Sequence, residues 1–297
     1  MSVKSVTLYL NGQSYDIPLD TATKKYKKSI TAPNKTSWGE TDHKYDIQLK
    51  VQDVAGNVTT IDKTHSTFGE KMKLRVLEKT PPVITITSPS SGAYLGNNAV
   101  KIEFTVTDTE SGVDPDTITL QVDTQAAVTS AITKTEISGG YKCSYKATCS
   151  DGSHTIKVNA SDNDGNAATQ KRSNYTVDTV PPELNITNPA TALITNVKQL
   201  AVKGSTNEAC TIKITLNNTD QGAVTLAADK TFEKSVELTK GSNVIVITAT
   251  DLAGKVTTVT REVTYDPTAP AVISIDIDKN PVAAGDTLTI TVEATDD

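Results

Sequence analysis

Cysteine, aromatic residues and excess positive charge are all scarce in this 297-residue chain, and each shortage narrows what it can be. The three cysteines, Cys143, Cys149 and Cys210, are an odd number and too few for a disulfide framework. Residues 143 and 149, if they lie on one extended strand, stand about 20 Å apart, far beyond disulfide reach. The expectation is a reduced chain made in a cytoplasm. Aromatics are 4% and the wider apolar set 36%, with one Trp, three Phe and two Met. That composition argues against one large aromatic-rich core and for several thin ones. Net charge is -6 with the signs interspersed. The one basic cluster, Lys24-Lys25-Tyr26-Lys27-Lys28, reads as a solvated strand edge rather than a nucleic-acid footprint. No stretch approaches the roughly 18 apolar residues of a membrane span. Met1-Ser2-Val3-Lys4-Ser5-Val6 leads into alternating residues without the apolar h-region of a secretory leader, so a chain made without one is expected. His43, His65 and His154 are scattered and share no ligand spacing with the cysteines, which leaves zinc unsupported. Neither a nucleophile elbow nor a Gly-rich phosphate loop occurs. No catalytic residue and no cofactor are expected.

What the chain has in abundance is Thr, Val and Ile in alternation, together with a repeat. Three Pro-containing junctions recur: Thr80-Pro81-Pro82, Val180-Pro181-Pro182 and Thr268-Ala269-Pro270. Ahead of each lies a second mark. It reads Asp53-Val54-Ala55-Gly56-Asn57, then Asp162-Asn163-Asp164-Gly165-Asn166, then Asp251-Leu252-Ala253-Gly254-Lys255. The shared pattern is Asp-x-x-Gly-Asn, with Lys255 departing in the last copy. Asp closes a turn through its own side chain, and Gly or Asn accepts positive φ. Asp53, Gly56, Asn57, Asp162, Gly165, Asn166, Asp251 and Gly254 are therefore structural turn residues. Alternating runs flank them, His154–Ala160 with 167–177 and Asn243–Ala249 with Val256–Val263, so each mark is a hairpin joining the last two strands of a unit.

A unit of about 90 residues with short alternating strands fits an immunoglobulin-like sandwich. In the middle unit Val83–Ile86, Val100–Val106 and Thr117–Val122 are the clearest strands, the last following a Ser111-Gly112-Val113-Asp114-Pro115 turn. The Cys-Trp-Cys pattern of antibody domains is missing, so Val, Ile, Leu and Tyr must fill the cores. The fold class is all-β: tandem immunoglobulin-like sandwiches, in an elongated rod because the Pro junctions are stiff. The expected units are 1–79, which lacks its first strands or is atypical, 80–179, 180–267, and a partial unit 268–297. Val6–Leu10 aligns by pattern with Thr211–Asn217 of the third unit, so the first unit starts at a middle strand. Val272–Ile275 and Thr287–Val292 look like first strands alone.

The Pro-Pro entry, the run Thr105-Val106-Thr107-Asp108 with Ser111-Gly112-Val113, and Asp151–Ile156 leading into Asp-x-x-Gly-Asn resemble bacterial Ig-like domains. Such domains occur in large surface adhesins and in bacteriophage tail proteins. The segment Val6-Thr7-Leu8-Tyr9-Leu10-Asn11-Gly12 is similar to the opening of multi-Ig tail-associated proteins of phages and prophages of Gram-positive bacteria. The resemblance implies a non-catalytic virion part, assembled in the host cytoplasm beside other tail proteins, that decorates or extends the particle and touches cell-wall carbohydrate. The alternatives are a fragment of a secreted surface adhesin, at the extracellular cell surface, and the accessory domain of a glycan-active enzyme. No nucleic-acid or membrane partner is implied.

Unpaired strand edges seek partners. Residues 271–297 of one copy are thus a candidate to complete residues 1–79 of another, head to tail. A truncated chain, an outside partner, or a complete smaller sandwich in 1–79 are the alternatives. For ligands, the exposed-platform candidates are Trp38, Tyr45 and Tyr94. For calcium, Asp162, Asp164 and Asn166 have one-three-five oxygen spacing, but Gly165 and the missing terminal Glu break the EF-hand pattern. Asp108, Glu110 and Asp114 form a second acidic loop. Some Ig-like and cadherin-like modules bind calcium between domains with such clusters, and turn capping is the simpler reading of both.

Overall fold

Alternation of apolar and polar residues leaves each strand with one face to bury, and pairs of sheets meet that need. The computed structural model describes residues 2–296, so the expectation attached to a Met1 start lies outside the described residues. The chain divides into one unit of residues 1–93 with 97–177 and a second of residues 94–96 with 178–297.

In the first unit, Val3–Leu10 pairs with Gln13–Asp16 on one side and Tyr45–Asp53 on the other, and Val58–Ile61 continues the sheet. Lys73–Leu74 also pairs with Tyr45–Asp53. Among the described residues Lys25–Tyr26, inside the basic cluster, pairs with Leu19–Asp20. Val6, Leu10 and Tyr45 are the buried apolar residues described here.

Residues 83–177 form two sheets of a sandwich. One runs Thr133–Ile137, Gly140–Thr148, Ala99–Thr107, Val83–Ser88. The other contains Val113–Val122, Gly152–Asp162 and Lys171–Val177 in that order. Period-2 alternation turns Val100, Ile102, Phe104 and Val106 inward, toward Ile118, Leu120, Ile156 and Val158. Val113 and Asp114, expected in a turn, pair with Asp162 and Ser161, and the register slips before Thr119. A bulge lets the strand start early while keeping its later residues facing in. The strand after the second turn starts at Lys171 rather than Ala167, which makes a single bridge to Ser161.

In the second unit, Leu184–Asn188, Gln199–Thr206 and Thr231–Glu237 form one sheet. Leu193–Thr195, Val256–Tyr265, Gly241–Asp251, Cys210–Leu216 and Thr219–Asp220 form the other, the first two being parallel. Val202, Ile214, Leu238, Ile245 and Ile247 sit at its fully buried centre. Cys210–Leu216 pairs with Gly241–Asp251 much as Val3–Leu10 pairs with Tyr45–Asp53. Ala271–Ile277 and Ile290–Thr295 make a separate two-stranded ribbon in which Val272, Ile273, Ile275, Ile290 and Val292 are exposed. All three cysteines are free, with Cys143 and Cys149 buried. No helix among the described residues is long and apolar enough to cross a membrane.

Candidate functional site

The Asp-x-x-Gly-Asn turn is built the same way three times. The Asp N–H donates to the carbonyl four residues on: Asp53 to Asn57 at 3.0 Å, Asp162 to Asn166 at 3.1 Å, Asp251 to Lys255 at 3.0 Å. The Asp Oδ1 accepts the N–H of that same residue at 2.9, 2.8 and 2.8 Å. Gly56, Gly165 and Gly254 hold φ of +92°, +94° and +81°, which only glycine adopts without strain. The copies differ at the other Asp oxygen. Asn57 and Asn166 donate their side-chain amides to Oδ2 of Asp53 and Asp162, at 2.9 and 2.7 Å. Lys255 has no amide to offer, and Oδ2 of buried Asp251 has no partner.

Asp162 joins a buried carboxylate group in the first unit. One oxygen each of Glu78, Asp108 and Asp162 lie within 4.8 Å of one another. Asp108 Oδ1 accepts the N–H groups of Glu110 and Gly112, at 2.9 and 2.8 Å. Glu78 Oε1 accepts the Ser111 N–H at 2.7 Å. Glu78 Oε2 and the Ser111 hydroxyl are buried without a partner. Burial pushes the Glu78 carboxyl above the usual range; the Ser111 bond works against that shift and neighbouring Glu110 adds to it. The second unit repeats the arrangement: one oxygen each of Asp178, Glu208 and Asp251 lie within 4.8 Å. Burial, then the charges of Asp178 and Asp251, raise Glu208, and Lys230 opposes them.

The candidate calcium loops lie apart, and capping accounts for much of them. Asp162, Asp164 and Asn166 do not converge on one point. Asn166 turns amide donors toward Asp162 and the Glu78 carbonyl. The Asp164 carboxylate, almost wholly buried, accepts the Thr36 hydroxyl and the Glu78 N–H and pairs with Arg75 at 3.6 Å. Asp114 Oδ1 caps the Asp116 N–H at 3.0 Å. Exposed Glu110 lines a cleft of about 370 Å³ with Asn34, Thr36, Glu40 and Tyr45. Sequence reasoning missed Glu78, Asp178 and Glu208 and saw Asp251 as a turn alone. A signal was there: an acid stands four residues before the second proline of both Pro-Pro junctions, Glu78 before Pro82 and Asp178 before Pro182.

Of the aromatic candidates, Tyr45 is 6% exposed, so it anchors the first sheet instead of offering a platform. Its hydroxyl donates toward the Lys35 and Thr36 carbonyls at 3.4 Å. Trp38 is half-buried and stacks on His43, ring centres 3.9 Å apart, while Tyr94 is exposed.

His154 offers the nearest approach to catalytic geometry. Its Nδ1 meets Asp123 Oδ2 at 2.8 Å and its Nε2 meets the Ser150 carbonyl at 2.7 Å. Both partners can accept a ring N–H, an arrangement that favours the charged ring and leaves neither nitrogen turned toward a nucleophile. Burial alone favours the neutral ring, but Asp123 and the Ser150 carbonyl outweigh it and raise the pKa.

Residues 82–158 match the family described as bacterial Ig domain. Residues 182–266 match the family described as glucodextranase, domain B. No curated protein matches the chain. Similar solved structures include fibronectin(III)-like modules of Clostridium thermocellum CbhA, at 15% identity and TM-score 0.40 over 62% of this chain and 94% of that one. A three-Ig fragment of titin is 10% identical, TM-score 0.40, over 89% of this chain and 88% of that one. Sidekick-1 immunoglobulin domains 1–5 are 11% identical, TM-score 0.38, over 99% of this chain and 60% of that one.

Proposed function

We propose that this chain is a non-catalytic array of Ig-like modules, a part of a phage or prophage tail that engages cell-wall carbohydrate. The observation that supports it is one turn repeated three times along the chain, its Asp spent on holding backbone. The match of residues 82–158 to bacterial Ig domains favours a bacterial surface or virion setting equally, so a secreted surface adhesin is the second reading. Immunogold labelling of cells and of particles induced from the same culture separates the two. Gold on particle tails supports the first; gold confined to the cell envelope supports the second. Trp38, which stacks on His43 and directly precedes Gly39 of the 370 Å³ cleft, is the residue to test for carbohydrate. Sedimentation of the chain with cell-wall fragments should fall severalfold for Trp38→Ala.

The ribbon of residues 271–295 belongs to the same reading. Its uncovered apolar side chains need a cover, and residues 1–79 of a second copy offer a single sheet with few buried apolar residues. Sedimentation velocity of the chain and of a version ending at Pro270 tests this. Concentration-dependent association of the longer form alone supports it; monomers in both cases refute it.

A further inference from the structure

Lysine is concentrated at one end of the sequence, and the structure leaves it unneutralised. Residues 1–35 carry six lysines against two acids, Asp16 and Asp20, while the rest of the chain carries 23 basic residues against 33 acidic ones. Both acids are already engaged. Asp16 Oδ1 accepts the Thr7 hydroxyl at 3.0 Å, and Asp20 Oδ1 accepts the N–H groups of Ala22 and Thr23 at 3.0 and 3.2 Å. Among the described residues, Lys4, Lys24, Lys25, Lys27, Lys28 and Lys35 enter no ion pair. Lys28 Nζ stands instead 5.9 Å from the centre of the Tyr15 ring. Blocking of a sheet edge does not account for them. Lys25–Tyr26 is a strand of two residues paired with the two of Leu19–Asp20, which leaves little edge to block. The same segment walls a groove of about 680 Å³, lined by Lys4, Ile17, Pro18, Leu19, Tyr26 and Lys28. The acid in that lining is Asp16, the one bound by Thr7. Leu19 is 45% exposed and Tyr26 half-buried, so unpaired cations stand beside open apolar surface.

We propose, resting on the carbohydrate-binding reading above, that this groove binds an acidic glycan, a sugar chain that carries phosphate or carboxylate groups. Lysine ammonium groups on flexible stems meet spaced anions as point charges, without the fixed geometry an arginine fork demands. Tyr26 and Leu19 give the apolar faces of sugar rings a surface to lie on, which a free inorganic anion would not use. A nucleic acid fits less well. Its dense phosphates call for a broad basic face on a basic domain, and outside residues 1–35 this chain has a surplus of acids. That surplus repels a polyanion elsewhere and confines the attraction to this groove. Lined by residues 3–28, the groove is a different site from the cleft next to Trp38.

The test titrates the full chain in a calorimeter with probes of one backbone: dextran, carboxymethyl-dextran and phosphorylated dextran. Both acidic forms should bind and the uncharged one should not, and the tighter of the two identifies the charged group. Affinity should fall on the order of tenfold between about 50 and about 200 mM NaCl, as counterion release from a few neutralised charges requires. Lys25→Glu with Lys27→Glu, and Lys4→Glu with Lys28→Glu, alter exposed side chains. Each pair should weaken binding roughly tenfold or more while the melting temperature holds. Lys142→Glu with Lys171→Glu makes the same change in net charge at exposed sites of the sandwich and should bind as wild type. No binding of either acidic dextran, equal binding of plain dextran, or an equal loss in the Lys142 and Lys171 control overturns the proposal. So does tighter binding of a single-stranded oligonucleotide of matched charge, which would make the groove a nucleic-acid site. Sedimentation with cell-wall fragments separates this site from the reading it rests on. If Trp38→Ala lowers sedimentation and the groove variants do not, the groove fails and the carbohydrate reading stands. If nothing sediments yet the acidic dextrans bind and the groove variants abolish it, the cell-wall reading fails and the groove stands.

Discussion

Residues 1–79 and residues 83–177 lie in the same unit and are both built of strands, yet they are held together differently. The second region buries facing layers of Val, Ile, Leu and Phe. The first has one main sheet and, among the described residues, only Val6, Leu10 and Tyr45 buried as apolar side chains. Polar joints fill the gap. The Ser37 hydroxyl donates to the His43 carbonyl at 2.7 Å and accepts the Val76 N–H at 3.0 Å. Asp164, from the neighbouring sandwich, accepts from Thr36 and from Glu78. A region too thin to hold itself by apolar burial borrows stability from side chain to backbone bonds, some of them supplied by the next module.

The strongest way to break that comparison is to hollow each region in turn. Phe104 is fully buried, and Phe104→Ala should cost about 4 kcal/mol in denaturant unfolding. Leu10→Ala should cost about 2 kcal/mol, because an open single sheet closes around the gap more easily. Equal losses would mean that residues 1–79 have a core as tight as the sandwich. The next test removes the shared joint. Asp164→Ala leaves the Glu78 N–H and the Thr36 hydroxyl without their acceptor, about 2 kcal/mol of lost stability. Hydrogen exchange should rise in residues 1–79 while Ala99–Thr107 and Gly152–Asp162 stay protected. A uniform rise would show that the two regions unfold as one.

The same contrast explains what could be read from the chain. The turns at Asp53, Asp162 and Asp251 were legible because every partner lies within five consecutive residues and glycine marks the positive φ. The inward residues of Ala99–Thr107 were legible because burial follows period 2. Glu78 and Glu208 were not, since each meets acids from distant loops that only the fold brings near. Asp164 stood as a calcium candidate beside the simpler reading of a turn cap, and it serves instead as an acceptor for another module; nothing local distinguishes those uses. Tyr45 was read as a platform because an aromatic in a polar stretch looks the same whether its ring is covered or bare.

The smallest effect concerns the polar joint inside the sandwich, His154 with Asp123. The His154 pKa is raised above its ordinary 6.5, so its contribution is complete below pH 6.5 and fades as pH rises through the folded value. Burial by itself would raise Asp123, but the bonds from His154 and Thr155 prevail and lower it from its ordinary 3.8. Its contribution is complete above pH 3.8 and fades as pH falls through the folded value. Both are present together between pH 3.8 and 6.5. The pair should add on the order of 1 kcal/mol there, kept small because Asp123 remains 35% exposed and solvent screens it. Urea midpoints at acid, neutral and alkaline pH should therefore decline on the alkaline side. Asp123→Asn keeps an oxygen for the Thr155 N–H but removes the charge that holds the imidazolium, so it should flatten that decline. An unchanged slope in the variant would assign the decline to other groups and leave His154 a packed ring against Tyr175, 5.4 Å away.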